Sequence, residues 1–355
     1  MKKQLLSALL LASALLPAGA HAAPCNLETG GKPSPLHHSA IRGDAQNVRC
    51  LLDAGANANT TGNGITALMV AAFTGRTDIV RLLIERGANV NASGEDGMTA
   101  LIAAAMENHT DIARLLIEKG ANINAVNQSD ITALQFASFE GYTETARLLI
   151  EKGANLNARD KNGETALTVA AKQEHIGIVR LLLEKGANVN AANKIGVTAL
   201  MASAFNGNTD IARLLIEKGA NVNAANKDGV TALMAAAQQN RIGIVRLLLE
   251  KGANINSTSN NGETALSIAV WRGNDETIQL LRNKGASQNI VPVLTDGALI
   301  NAVIAGNTKE VIHLIKELGA NANATDFEGN TALQLAREKG HTQIVRILKA
   351  AGAKE

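Results

Sequence analysis

Apolar residues recur along this chain in short bursts of two kinds. The first reads "TALMVAA" at Thr66–Ala72, where Leu68 and Ala71 stand three apart and so share a helix face. The second reads "TDIVRLLIER" at Thr77–Arg86, with Ile79, Val80, Leu83 and Ile84 on one side and charge on the other. Gly-Ala closes each pair of bursts. An asparagine-bearing stretch follows, "ANVNASGEDG", whose Asp96-Gly97 signals a tight turn. The pattern predicts a short helix, a stop at Gly75, a second helix ended by a left-handed glycine at Gly87, and a hairpin-like loop. Thr66, at the head of the first helix, has the hydroxyl needed to accept from first-turn amides.

The whole pattern then repeats. Gly-Ala pairs begin at Gly55, Gly87, Gly120, Gly153, Gly186, Gly219, Gly252, Gly285, Gly319 and Gly352, mostly 33 residues apart. "TAL" keeps the same beat from Thr66 to Thr331, with "GAL" at Gly297. That makes about ten units, none able to bury its own apolar face, so stability must come from stacking on neighbours. Ala71, Ala104, Ala137, Ala170, Ser203, Ala236 and Ala269 hold the position where first helices would touch. The end units, 34–64 and 330–355, read as caps, the last with Arg337 in place of a small residue and Glu338 and Lys339 beside it. Pro292 falls in "GASQNIVPVLTDGAL", where the asparagine pattern and the turn glycine both fail, and an irregular loop is expected there.

A period of 33 together with "SPLHHSA" at Ser34–Ala40 resembles the ankyrin repeat and its TPLHxA motif. Other copies keep the Thr and Leu but replace Pro by Ala and His by Met69, Ile102 or Thr168. The resemblance covers residues 34–355. It implies an all-α fold, an ankyrin-repeat solenoid of about ten helix-turn-helix units with β-hairpin-like loops. It also implies a protein partner bound at the loop tips and first-helix ends of the concave face. Carried onto this chain, those positions include Glu95, Asp96 and Met98, then Lys161, Asn162 and Glu164, then Lys194, Ile195 and Val197 at the tips. At the helix ends they are Phe73, Met106, Phe139, Lys172, Phe205, Trp271 and Arg272. Phe73, Phe139, Phe205 and Trp271 stand 66 residues apart and make up four of the seven aromatic residues. The spacing marks a duplicated pair of units. The rings are expected to be exposed anchors, the alternative being that each fills a gap against its neighbour.

Composition narrows the function. With 46% apolar but only 2% aromatic residues, the core must be Ala, Leu, Ile and Val. A net charge of +2 spread along the chain leaves no basic footprint for nucleic acid. The histidines are scattered without metal-ligand spacing, and no phosphate loop or G-x-S-x-G occurs. No catalytic residue, metal or cofactor is therefore expected, and the chain reads as a non-enzyme. Arginines on the second helices, from Arg81 to Arg246, each have Glu four residues later and suggest a solvated, ion-paired outer face.

Residues 1–22 read differently. Lys2 and Lys3, the apolar run Leu5–Leu16 and the small residues around Ala20-His21-Ala22 form a signal-peptide pattern with cleavage near Ala22. The run is too short to span a bilayer. The expectation is an exported monomer, periplasmic or secreted, with a short tail at 23–33. Cys25 and Cys50 then form a possible disulfide stapling that tail to the first unit, a semi-buried Cys50 with a free Cys25 being the alternative. Resemblance to exported bacterial ankyrin proteins suggests stress protection or immunity against a secreted effector. A structural, glycan- or cell-wall-associated role is the rival expectation.

Overall fold

Each threonine of the "TAL" series caps a helix. Thr66 Oγ1 accepts from the amide of Met69 at 3.2 Å, and Thr99, Thr132, Thr165, Thr198, Thr231, Thr264 and Thr331 repeat the bond three residues on. The computed structural model describes residues 34–62, 64–287, 292–326 and 328–354. The expected signal peptide, its cleavage point and the tail at 23–33 lie outside the described residues.

The chain divides into two compact units, the first closing at Lys194 and the second opening at Ile195. In the first, inner helices α1 (Pro35–Arg42), α3 (Ala67–Phe73), α5 (Ala100–Met106), α7 (Ala133–Glu140) and α9 (Ala166–Lys172) alternate with outer helices. The outer ones are α2 (Ala45–Asp53), α4 (Thr77–Glu85), α6 (Thr110–Glu118), α8 (Thr143–Glu151) and α10 (Ile176–Glu184). In the second, α11 (Ala199–Asn206), α13 (Ala232–Gln238), α15 (Ala265–Trp271), α17 (Pro292–Ile304) and α19 (Ala332–Glu338) are the inner series. Their outer partners are α12 (Thr209–Glu217), α14 (Ile242–Glu250), α16 (Asp275–Asn283), α18 (Thr308–Leu318) and α20 (Thr342–Ala350).

Within each unit an inner helix packs on its own outer helix, and successive inner helices pack on one another from α1 to α9, from α11 to α15, and between α17 and α19. The small residues make that second contact possible: Ala71, Ala104, Ala137 and Ala170 in the first unit, and Ser203, Ala236 and Ala269 in the second, are wholly buried. In the outer helices Ile79, Val80, Leu82 and Leu83 face inward while Ile84 is only half-covered, because Leu82 lies three residues beyond Ile79 on the same stripe. The loops form rudimentary hairpins. Thr61–Gly62 pairs with Ile65–Thr66 as β1 and β2, and single bridges such as Ser93–Thr99 and Val126–Thr132 follow in later copies.

The expected irregular loop at Pro292 is corrected. Pro292 is the first residue of a thirteen-residue helix, α17. A proline at that position has its backbone torsion preset for the helix and lacks the amide the first turn would leave unpaired. The helix thus begins well before the register of the other inner helices, and residues 288–291 lie outside the described residues. The ion-paired outer face is corrected too. Arg147 reaches Glu144 at 3.6 Å, one turn before it rather than one turn after, and among the described residues no bridge closes between Arg81 and Glu85 or their counterparts. Exposed side chains of this length gain little from fixing one geometry.

Candidate interaction surface

The six letters "GANVNA" and their variants are a clamp. In each copy the first asparagine folds over the loop, as Asn89 Oδ1 accepting from the amide of Asn91 at 2.9 Å. The second asparagine crosses to the next repeat. Asn59 Oδ1 accepts from the Asn89 amide at 2.7 Å, Asn91 from Asn122 at 2.7 Å, Asn124 from Asn155 at 2.8 Å and Asn157 from Asn188 at 2.9 Å. The second unit repeats this with Asn223 to Asn254, Asn256 to Ser287 and Asn323 to Lys354. Where the eighth copy loses the motif, Asp296 at the head of α17 accepts from Asn321 instead, at 2.9 Å.

The loop tips are joined as well, backbone to backbone. Gln128 donates to the Asp96 carbonyl at 2.7 Å, Lys161 to Ser129 at 3.0 Å and Lys194 to Asn162 at 2.8 Å. In the second unit Lys227 donates to Ile195 and Asn260 to Asp228. The approach is close enough that a Cβ on Gly163 would sit 2.8 Å from the Lys194 nitrogen. The tips are therefore fixed platforms.

A third set of ties runs from outer helices to the ends of inner ones. His109 Nε2 meets the Phe73 carbonyl at 3.1 Å, His175 Nε2 the Phe139 carbonyl at 3.0 Å, and in the second unit Arg241 Nε donates to Phe205 at 3.3 Å. Alternate copies use another device. Asn108 and Asn240 take the left-handed conformation themselves and accept from the buried hydroxyls of Thr145 and Thr277 at 2.9 and 2.7 Å. The motif histidine also has its role: His37 Nε2 donates to the Ile65 carbonyl at 2.7 Å while its Nδ1 pairs with Ser34 Oγ. Burial holds this ring below the ordinary histidine range. In the fourth repeat Gln135 stands in for it, donating through Nε2 to the Glu164 carbonyl at 2.8 Å.

On this frame the expected anchors separate. Phe139 is 50% exposed, Phe205 46% and Trp271 67%, each at the end of its inner helix. The Arg272 guanidinium lies 4.6 Å from the centre of the Trp271 ring and covers part of it. Phe73, at 7%, is instead core, because α3 is buried along its entire length. Met106 is corrected for the same reason on α5, where no residue reaches solvent. Met98 is also buried. It precedes the capping Thr99, a position that Ile65, Ile131, Glu164 and Val197 leave half-covered, and its apolar side chain folds fully in. Glu95, Lys161, Lys172 and Lys194 are exposed, and Asp96 is half-buried with its carboxylate turned to the Met98 amide. Ile195, expected at a tip, is 57% exposed. Asp130 is an exposed tip residue outside the expected set; it stands where Gly97 and Gly163 hold the turn in the copies on either side, and that departure from glycine was the available signal.

Cys50 is half-buried on α2, and no free thiol is present among the described residues. Cys25 lies outside them. Among the described residues no three His, Cys, Asp or Glu side chains gather as metal ligands, and no helix is long and apolar enough to cross a membrane.

Helix pairs stacked in register, tied by asparagines and tips, define an all-α repeat protein of the solenoid type. The sequence profile described as "Ankyrin repeats (3 copies)" matches residues 6–94, 91–160, 155–226 and 221–292, and that of a single "Ankyrin repeat" matches 328–354. The chain belongs to the ankyrin repeat family, whose repeats are generally modules of protein–protein interaction. Comparison with curated proteins finds none that matches the chain.

Proposed function

We propose that the protein is a non-enzymatic, exported scaffold that holds a protein partner against its loop tips and inner-helix ends. The observation that carries this reading is the exposure of Phe139, Phe205 and Trp271 on helices that otherwise bury nearly everything apolar. Large aromatic groups on rigid backbone are the usual anchors of an interface, since little conformational freedom is lost when a partner covers them. Tips fixed by backbone bonds extend that argument to Lys161 and Lys194.

Export rests on the pattern of residues 1–22, and a Cys25–Cys50 disulfide belongs to the same proposal. The setting is protection against stress or immunity against a delivered effector. Fractionation of expressing cells, followed by capture from the periplasmic extract with the purified mature chain, tests the reading. A stoichiometric protein partner whose retention falls with Phe139→Ala and Phe205→Ala is the expected result. Retention of cell-wall polymer alone, or a chain left in the cytoplasm with free thiols, refutes it.

A further inference from the structure

The four tips of the third to sixth repeats carry, in order, Glu95, Asp130, Lys161 and Lys194, all exposed and all in the first unit. Backbone bonds chain these tips together, so the order of charges is fixed in space. Among the described residues none of the four side-chain charges has a partner. The other charged groups nearby are hydrogen-bonded within a tip or to the next one. Asp160 Oδ1 accepts from the amides of Asn162 and Glu164, both at 2.8 Å, and Glu164 Oε1 accepts from Asn193 at 2.9 Å. Arg159 donates to the carbonyls of Gly163 and Ala192. These groups keep their charge, so the tips carry Glu95, Asp96 and Asp130 at one end, and Arg159, Lys161 and Lys194 against Asp160 and Glu164 at the other: acidic at the first, basic in balance at the second. Phe139 stands open in the same repeat as Asp130, beside the repeat of Lys161, at the far end of α7 and about 10 Å of helix from the tip.

We propose that this edge binds an extended partner segment with segregated charge, basic over Glu95 and Asp130, apolar over Phe139 and acidic over Lys161 and Lys194. This rests on the protein-binding reading above and names its chemistry. Complementarity of charge selects the occupant: a uniformly anionic polymer gains at Lys161 and Lys194 but is repelled at Glu95 and Asp130, and a uniformly cationic one meets the reverse. Repeats packed about 10 Å apart give an edge of roughly 30 Å, which about nine extended residues span at ~3.3 Å each. The charges are exposed, so each pair contributes about two- to fivefold in affinity, most strongly at low salt.

The test is selection of a displayed random dodecapeptide library on the full mature chain. Enriched peptides are expected to hold a basic and an acidic cluster flanking an apolar residue. Selection on the Lys161→Glu/Lys194→Glu double variant should shift them toward basic residues throughout, and Glu95→Lys/Asp130→Lys should shift them toward acidic ones. A labelled winning peptide should lose about four- to twentyfold in affinity for either charge-reversed chain at low salt, with circular-dichroism melting unchanged. Should a reversed chain fail to fold, Lys161→Gln/Lys194→Gln replaces it, with the acidic bias expected to vanish. Peptides enriched without charge segregation, or equally on parent and reversed chains, overturn this proposal while leaving protein binding intact. No enrichment at all overturns the protein-binding reading with it.

Discussion

Gln135 is a buried polar group whose replacement tests how the repeats are joined. Its Oε1 accepts from the Thr132 amide at 2.9 Å, and its Nε2 donates to the Glu164 carbonyl of the following repeat at 2.8 Å. The Glu164 carbonyl keeps a second partner, the Asp160 amide at 3.1 Å, so Gln135→Met chiefly demotes the buried Thr132 amide, with weaker bonds lost from the Thr132 hydroxyl at 3.1 Å and to the half-buried Ala158 carbonyl at 3.4 Å. Met69 occupies the same position in the second repeat, where its sulfur takes the Thr66 amide at a weak 3.5 Å. The chain therefore shows that methionine fits there. With volume nearly conserved and one buried amide demoted, the cost should be about 1–2 kcal/mol. Urea unfolding measures it. Amide exchange should locate the loss at the junction of α7 with the loop before α9, since repeat arrays are coupled through nearest neighbours. A variant within about 0.3 kcal/mol of the parent, or with protection lost evenly along the array, would show that stacking alone joins the repeats.

Four further outcomes follow from the same structure. Phe139→Ala and Phe205→Ala should each cost under about 1 kcal/mol in stability, whereas Phe73→Ala should cost about 3–5 kcal/mol because its ring is core; equal melting losses in all three would refute the anchor assignment. Gly141 has φ +81°, and a Cβ there would lie 2.6 Å from the His175 ring, so Gly141→Ala should cost about 1–3 kcal/mol. Gly153, also left-handed but with nothing within 4 Å, should lose less on the same change. As pH falls, the unfolded chain protonates His37 at about 6.5 before the folded chain does, since burial lowers the folded value. The first repeat's stability should thus be complete above that pH and decline below it. His37→Gln, which supplies the tie that Gln135 makes, should flatten this dependence in urea unfolding at paired pH values; an unaltered slope would assign it elsewhere.

Much of the architecture could be read directly because its signals are local. A threonine three residues ahead of the amide it caps, a glycine at a left-handed stop and apolar residues three and four apart are all set within one helical turn. The same logic failed at Pro292, where missing turn signals suggested a loop although the proline was a helix start. At the surface it also failed in part. Phe73 and Phe139 occupy equivalent places in their copies, yet one is core and the other open.

The amino-acid order alone settled that this is an array of about ten helix pairs, where all but the Pro292 helix begin, and which small residues let them approach. Stacking decided the rest. The asparagine clamps join residues 30 or 31 positions apart, the tip bonds join residues 32 apart, and the His175 tie spans 36. No periodicity within a single copy specifies such pairs, because they come within bonding distance only once one repeat lies on the next. Exposure has the same origin: whether a ring at a helix end meets solvent depends on what the neighbouring copies leave uncovered, and that is a property of the packed stack.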